Sequence, residues 1–111
     1  MAEAPRLDIR PDLLALVQQI LQRHVPDREV WAFGSRVKGT ARPSSDLDLV
    51  VLGDEPLPLS VYAALLDDFE QSDLPWRVDV VDWATTAAPF RRIIEQEWVG
   101  VQPLKKIMPS R

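Results

Sequence analysis

The 111-residue sequence contains no cysteine and a single histidine. The absence of cysteine excludes a disulfide frame, a thiolate metal site and a cysteine nucleophile, and it suits a reducing, cytoplasmic setting. No apolar run approaches the roughly 20 residues of a membrane span. The opening Met1-Ala2-Glu3-Ala4-Pro5 lacks the apolar core of a signal peptide. Basic residues are also in deficit. The formal net charge is −4 and the pI about 4.9, which argues against a long polyanion such as DNA or RNA as the main ligand. A nucleotide is a different matter, because local charge decides it, and Arg36, Lys38 and Arg42 cluster in one loop. There is no internal repeat and no low-complexity tract. The length fits one domain that buries a core without staples. We read residues 1–10 as a loose leader, 11–102 as the domain and 103–111 as a tail.

The most informative stretch runs from Trp31 to Leu52. It reads as an apolar strand, a Gly34-Ser35 turn, a polar loop with three basic side chains, and a second apolar strand opening on Asp46-Leu47-Asp48. Strand side chains alternate faces, so Asp46 and Asp48 point the same way, about 7 Å apart at ~3.3 Å per residue. Two acids on one face repel, and a hard dication such as Mg²⁺ resolves the conflict, usually through one or two carboxylates plus substrate phosphates. Gly34 permits a sharp turn and a close approach to a ligand. Ser35 offers a backbone N–H and a hydroxyl to a phosphate, and Arg36 adds charge-assisted donors.

Along the chain, Leu13, Leu14, Val17, Ile20 and Leu21 fall at helical spacing, with Pro11 a good first residue, and predict a helix over 11–24. His24 at its end reads as a surface cap, with a catalytic role as the alternative. A first strand spans 29–33, and the following loop has room for a short helical turn before Gly39. A second strand spans 47–52. Tyr62, Leu65, Leu66 and Phe69 mark a helix over 61–71, with Ser60 as its expected N-cap. A third strand covers 76–82, with Asp79 and Val81 on one face and Val78, Val80 and Asp82 on the other. An acid inside an apolar strand is expensive without a partner. A last helix is expected after a Thr85 or Thr86 cap, burying Ala87, Phe90, Ile93, Ile94 and Trp98 and ending at Gly100. Arg91 and Arg92 read as a solvated face, with a nucleotide clamp as the alternative. Residues 99–102 predict a short edge strand. Among the tryptophans, Trp98 is expected in the core, while Trp31 and Trp76 fit core or interface equally.

Gly-Ser, ten residues, then Asp-x-Asp resembles the signature of the DNA polymerase β-like nucleotidyltransferase superfamily. Four fixed positions recur by chance on the order of once in a thousand chains of this length. The succession from residue 12 to 102 looks like the minimal nucleotidyltransferase branch, whose members are antitoxins paired with helical HEPN ribonuclease toxins. That resemblance implies an α/β (α+β) fold with a small mixed sheet of three to five strands and about three helices. It also implies transfer of AMP from ATP to a toxin tyrosine, together with complex formation. Gly34 and Ser35 would hold the triphosphate, helped by Arg36 and Lys38. Asp46 and Asp48 would bind metal, two Mg²⁺ ions as a pair, and Asp79 would complete the triad; Asp82 is the alternative third carboxylate.

Larger relatives append a helical domain that holds the acceptor. Here the acceptor surface is expected from another chain, so a hetero-oligomer is expected too. Two other readings stay open. One is an antitoxin that neutralises by occlusion, with a vestigial motif. The other is a subunit of an aminoglycoside-type transferase.

Overall fold

A computed structural model describes residues 6–104. The elements run α1 (Pro11–His24), β1 (Val30–Phe33), α2 (Ser35–Lys38), β2 (Leu47–Val51), α3 (Leu59–Gln71), β3 (Val78–Asp82), a 3₁₀ turn (Trp83–Thr85), α4 (Ala88–Gln96) and β4 (Val99–Gln102). The four strands form one sheet in the order β3-β2-β1-β4. β1 lies antiparallel to β2 and to β4, and β2 lies parallel to β3. The sheet is therefore mixed, as the resemblance implies, and α2 is the short helical turn expected before Gly39. Among the described residues, no helix is long and apolar enough to cross a membrane.

Alternation along the strands builds two unequal cores. One sheet face presents Val30, Ala32, Leu47, Leu49, Val51 and Val80, and these pack with Val17, Ile20 and Leu21 of α1 and Leu65 and Phe69 of α3. Most of these side chains are fully buried. At ~25 cal/mol per Å² of apolar area this face supplies most of the hydrophobic stabilisation. His24 closes the α1–α3 contact at its edge. Its Nε2 lies 2.8 Å from Asp68 Oδ2, which also accepts from Arg23 at 2.6 Å. These bonds, the His24 contact foremost, hold the Asp68 carboxyl below the usual range. His24 thus ties two helices together at the surface.

The opposite sheet face carries only a small cluster of Phe33, Val50 and Ile94, flanked by Trp31, Leu52, Val81 and Trp83. Here the structure departs from the sequence reading. Ile94 is fully buried, but Phe90, Ile93 and Trp98 are exposed, Ile93 by half. α4 is short: of its apolar stripe only Ile94 is buried on the sheet, while Phe90 meets Phe33 edge-on at 5.8 Å and stays partly in solvent. Trp98 is not a core residue. It lies past the helix and stacks on Trp31, ring centroids 3.8 Å apart and planes within 10°.

Helix ends differ as well. α3 starts at Leu59 with Pro58 at its N-cap, so Ser60 sits inside the first turn and caps nothing. α4 has Ala87 at its N-cap; the Thr85 and Thr86 hydroxyls instead donate to the Asp82 carbonyl, at 3.2 and 2.7 Å. α4 ends at Gln96, and Gly100 lies within β4 opposite Trp31. Of residues 1–10, read as a loose leader, 6–10 are described and are fastened to the domain. Leu7 and Ile9 pack against the large core, and the Asp8 N–H donates to the Arg36 carbonyl at 2.7 Å. The tail residues Lys105 to Met108 lie outside the described residues.

The asymmetry of α4 is measurable. Ile94→Ala should cost about 3 kcal/mol in urea unfolding, whereas Ile93→Ala, one residue earlier, should cost less than about 1 kcal/mol. Equal losses would mean that α4 sits with a different face on the sheet.

Candidate active site

The two strands that end and begin around the Gly-Ser turn meet at one corner of the sheet. Phe33, the last residue of β1, stands directly opposite Asp48 of β2. The parallel neighbour β3 places Asp79 directly beside Asp48. Alternation puts Asp46, Asp48 and Asp79 on the face of Phe33 and Val50, the sparsely covered one. Adjacent strands lie about 4.8 Å apart, so the carboxylates of Asp48 and Asp79 are near neighbours. Asp82, the alternative third acid, is elsewhere. It shares the face of Val78 and Val80, and its carboxylate is taken by the Leu57 N–H at 2.8 Å and the Ala84 N–H at 3.2 Å. Asp82 works as a cap joining the β2–α3 connection to the 3₁₀ turn.

Gly34 is required at this corner on two counts. Its φ of +82° lies in a region side chains rarely adopt. A Cβ there would overlap Asp48 Oδ2 and lie 3.2 Å from Asp48 Cγ. The backbone thus passes directly against the carboxylate, and any side chain would displace it. Ser35 then opens α2. The Gly34 carbonyl accepts from Val37 and Lys38, while the first N–H groups of such a turn have no partner inside the helix. Gly39, left-handed at φ 77°, closes it.

Arg36 is placed differently from the sequence reading, which made it a phosphate helper. It is only 5% exposed. Its guanidinium donates to the carbonyls of Ser45 (Nε 3.0 Å, Nη2 2.8 Å), Pro43 (3.2 Å) and Asp8 (2.9 Å), and it lies 4.6 Å from the Trp76 ring centre. Those bonds occupy its donors and brace the loop that leads into Asp46. Trp76 is correspondingly drawn into packing. Lys38 and Arg42 remain exposed on the loop. Arg91, weighed as a clamp, donates to the Trp83 carbonyl at 3.0 and 2.6 Å and lies over the Trp83 ring. It binds its own helix to the sheet, neither a clamp nor a fully solvated residue. This role is invisible in sequence because it depends on a carbonyl eight residues back.

The electrostatics are strained. Burial first, then the charges of Asp79 and Asp46, push the Asp48 carboxyl up to about 6 from 3.8. Among the described residues, the only cation paired to these acids is Arg77, 3.7 Å from Asp79 and largely exposed, and such a surface pair contributes little. Hard oxygen donors with unbalanced negative charge suit Mg²⁺. Among the described residues, no three acidic or imidazole groups already converge around a single point.

The sequence matches the nucleotidyltransferase domain family over residues 14–108. The chain belongs to that family. Among relatives of this nucleotidyltransferase, the probable protein adenylyltransferase MntA of Haemophilus influenzae is 51% identical over 106 residues, 96% of this chain and 93% of that protein. In solved structures, a chain of a toxin–antitoxin complex with AMP-PNP superposes with a TM-score of 0.66 at 22% identity, covering 83% of this chain and 73% of its own. A mutant MntA–HpeT toxin–antitoxin structure also gives 0.66, at 20% identity, with coverages of 79% and 71%. At these identities the two structures establish the shared fold.

The raised Asp48 pKa has a stability consequence. Between pH 3.8 and about 6 the folded protein holds a proton that the unfolded chain releases. Stability therefore falls as pH rises through that window, and the penalty is fully present above it. Asp48→Asn should raise the melting temperature relative to the parent at about pH 7.5 and leave it unchanged below about pH 4. A difference independent of pH would show that Asp48 carries no such strain.

Proposed function

We propose that this nucleotidyltransferase is the antitoxin of a toxin–antitoxin pair and a protein adenylyltransferase, moving AMP from ATP to a tyrosine of a HEPN-type ribonuclease toxin. The observation that carries this reading is the register of Asp48 beside Asp79, with Gly34 pressed against Asp48. The relative named as a probable protein adenylyltransferase, alike along nearly the whole chain, supports the reaction class. The shared fold with toxin–antitoxin chains, one solved with AMP-PNP, supports the partner and the nucleotide.

In this reading Gly34 and Ser35 receive the triphosphate, since only a glycine lets the backbone approach there. Lys38, exposed at the end of α2, supplies a mobile positive charge to the same phosphates. Asp46, Asp48 and Asp79 would hold Mg²⁺, which supplies neutralisation of the phosphate oxygens during in-line displacement. The acceptor oxygen forms a bond to the α-phosphorus as the bond to the bridging oxygen breaks. Pyrophosphate leaves with that electron pair, and the hydroxyl proton passes to the Asp79 carboxylate. Asp79 is suited to this because its side chain is nearly half exposed, whereas Asp48 lies deeper. Arg36 contributes by holding the loop ahead of Asp46.

A second reading, neutralisation by occlusion, draws on one observation: Phe90, Ile93 and Trp98 expose apolar surface around α4, the kind of patch that docks a partner. The two readings are compatible and separable. With Mg²⁺, α-labelled ATP and the cognate toxin, Asp46→Ala/Asp48→Ala should lower label transfer by at least about 10²-fold. Full transfer by that variant would refute the enzymatic reading. A variant that transfers nothing yet protects fully against the toxin would assign neutralisation to occlusion.

A further inference from the structure

The proposed reaction gives a place to the phosphates of its nucleotide and none to the base. Gly34, Ser35, Lys38 and the three acids are all assigned to phosphate or metal. The sheet face that carries the acids also carries aromatic rings. Phe33 stands directly opposite Asp48, and side chains so paired have Cβ atoms about 5 Å apart. Phe90 of α4 meets Phe33 edge-on, ring centroids 5.8 Å apart and planes at 78°. Such a contact takes at most one face of Phe90, and the residue stays 39% exposed. We infer that Phe90 is the platform of a nucleobase subsite, on which the purine of the nucleotide stacks while its α-phosphate lies at the acids. The inference deepens the adenylyltransferase reading and rests on it.

Position is the first reason. A base is joined to its α-phosphate through one ribose, so a ring that receives it has to stand beside the acids, one side chain removed. Phe90 is linked to Asp48 through Phe33 alone. Trp98, also exposed, lies instead on Trp31, which stands opposite Val50 rather than Asp48. Direction agrees with this. Gly34 and Ser35 lie past the end of β1, whereas Ile94 anchors α4 on the Val50 side of Asp48. Triphosphate toward the turn and base toward α4 therefore leave Asp48 in opposite directions along the strands and do not compete for space.

Chemistry is the second. Polar side chains close to Phe90 in the chain are already engaged: Arg91 with the Trp83 carbonyl, and the Thr86 hydroxyl with the Asp82 carbonyl. What Phe90 offers a base is the π-face of its ring, and every base has a π-face to set against it. The ring also costs the domain something to keep in water, since an apolar side chain gains by leaving it. A nucleotide that covers Phe90 recovers part of that burial only while it is bound.

The test is calorimetric titration of the full chain with ATP and with inorganic triphosphate, each with Mg²⁺ and with no acceptor present. ATP should bind at least about fivefold tighter than triphosphate, the low end of what a base stacked on a ring is worth. Phe90→Ala and Phe90→Leu should erase that advantage and leave triphosphate binding unchanged, because leucine keeps an apolar side chain but has no π-face. Phe90→Trp should retain it. Equal affinities in the parent, or an ATP advantage that survives both Phe90→Ala and Phe90→Leu, overturn the subsite and leave the adenylyltransferase reading intact. An advantage lost in Phe90→Ala but kept in Phe90→Leu shows plain apolar burial and overturns stacking. Triphosphate binding lost along with ATP makes Phe90 a support of the acid corner and overturns the inference too. A Phe90→Ala variant that keeps its ATP affinity but loses the toxin complex gives the ring to the protein interface instead. No binding of ATP or triphosphate by the parent overturns both readings.

Discussion

Crowding of carboxylates at one corner of the sheet is the constraint on which the rest of this structure depends. Three acids on one face are not a stabilising arrangement. Burial and mutual repulsion raise the Asp48 pKa, and each increment of that shift is folding free energy given up. A small domain tolerates this because its opposite face is well built. The packing of α1 and α3 against Leu49, Val51 and Val30 is free of polar intrusion, and among the described residues no buried side-chain nitrogen or oxygen lacks a partner. Strain is confined to the corner where chemistry would relieve it.

Several residues are best understood as supports for that corner. Gly34 gives up a side chain so that the backbone can pass Asp48. Arg36 gives up solvent to brace the loop ahead of Asp46, and Asp82 fastens both the approach to α3 and the turn after β3. Each acts on the position of a strand end, and strand ends position the acids. Such residues are hard to distinguish from ligand contacts by type alone. An arginine after a Gly-Ser pair has the chemistry of a phosphate ligand, and only the carbonyls of Asp8, Pro43 and Ser45, gathered from distant positions, reveal its other use.

This explains what the sequence made legible. The period of Leu13, Val17, Ile20 and Leu21 and the apolar runs around Ala32, Leu49 and Val80 are local signals, and they located α1 and the strands β1, β2 and β3 closely. The spacing of Gly34, Asp46 and Asp48 was legible for the same reason. Pairing was not. That β3 lies parallel to β2 with Asp79 opposite Asp48 is a tertiary fact, and without it Asp79 and Asp82 are two acids on opposite faces of one strand with nothing to say which face meets Asp48. The caps failed likewise: Thr85 and Thr86 have the right chemistry for a helix start, but a 3₁₀ turn ending in their hydroxyl bonds to Asp82 delays α4 to Ala88.

The misreading of α4 has a cause that bears on function. Hydrophobic periodicity tells which face of a helix is apolar, and it assumes that the domain itself covers that face. Here the second face of the sheet has two uses. Toward Trp31, Phe33 and Val50 it is a core, and Ile94 seals it. Toward Asp46, Asp48 and Asp79 it would have to stay open in the proposed reaction. A longer helix laid across the whole face would bury Phe90 and Ile93 and close the site with them. The domain resolves the competition by keeping α4 to nine residues and leaving part of its apolar stripe in solvent. In a domain this small, apolar surface that a core would bury is therefore left in solvent on α4, on the sheet face that also carries the acids.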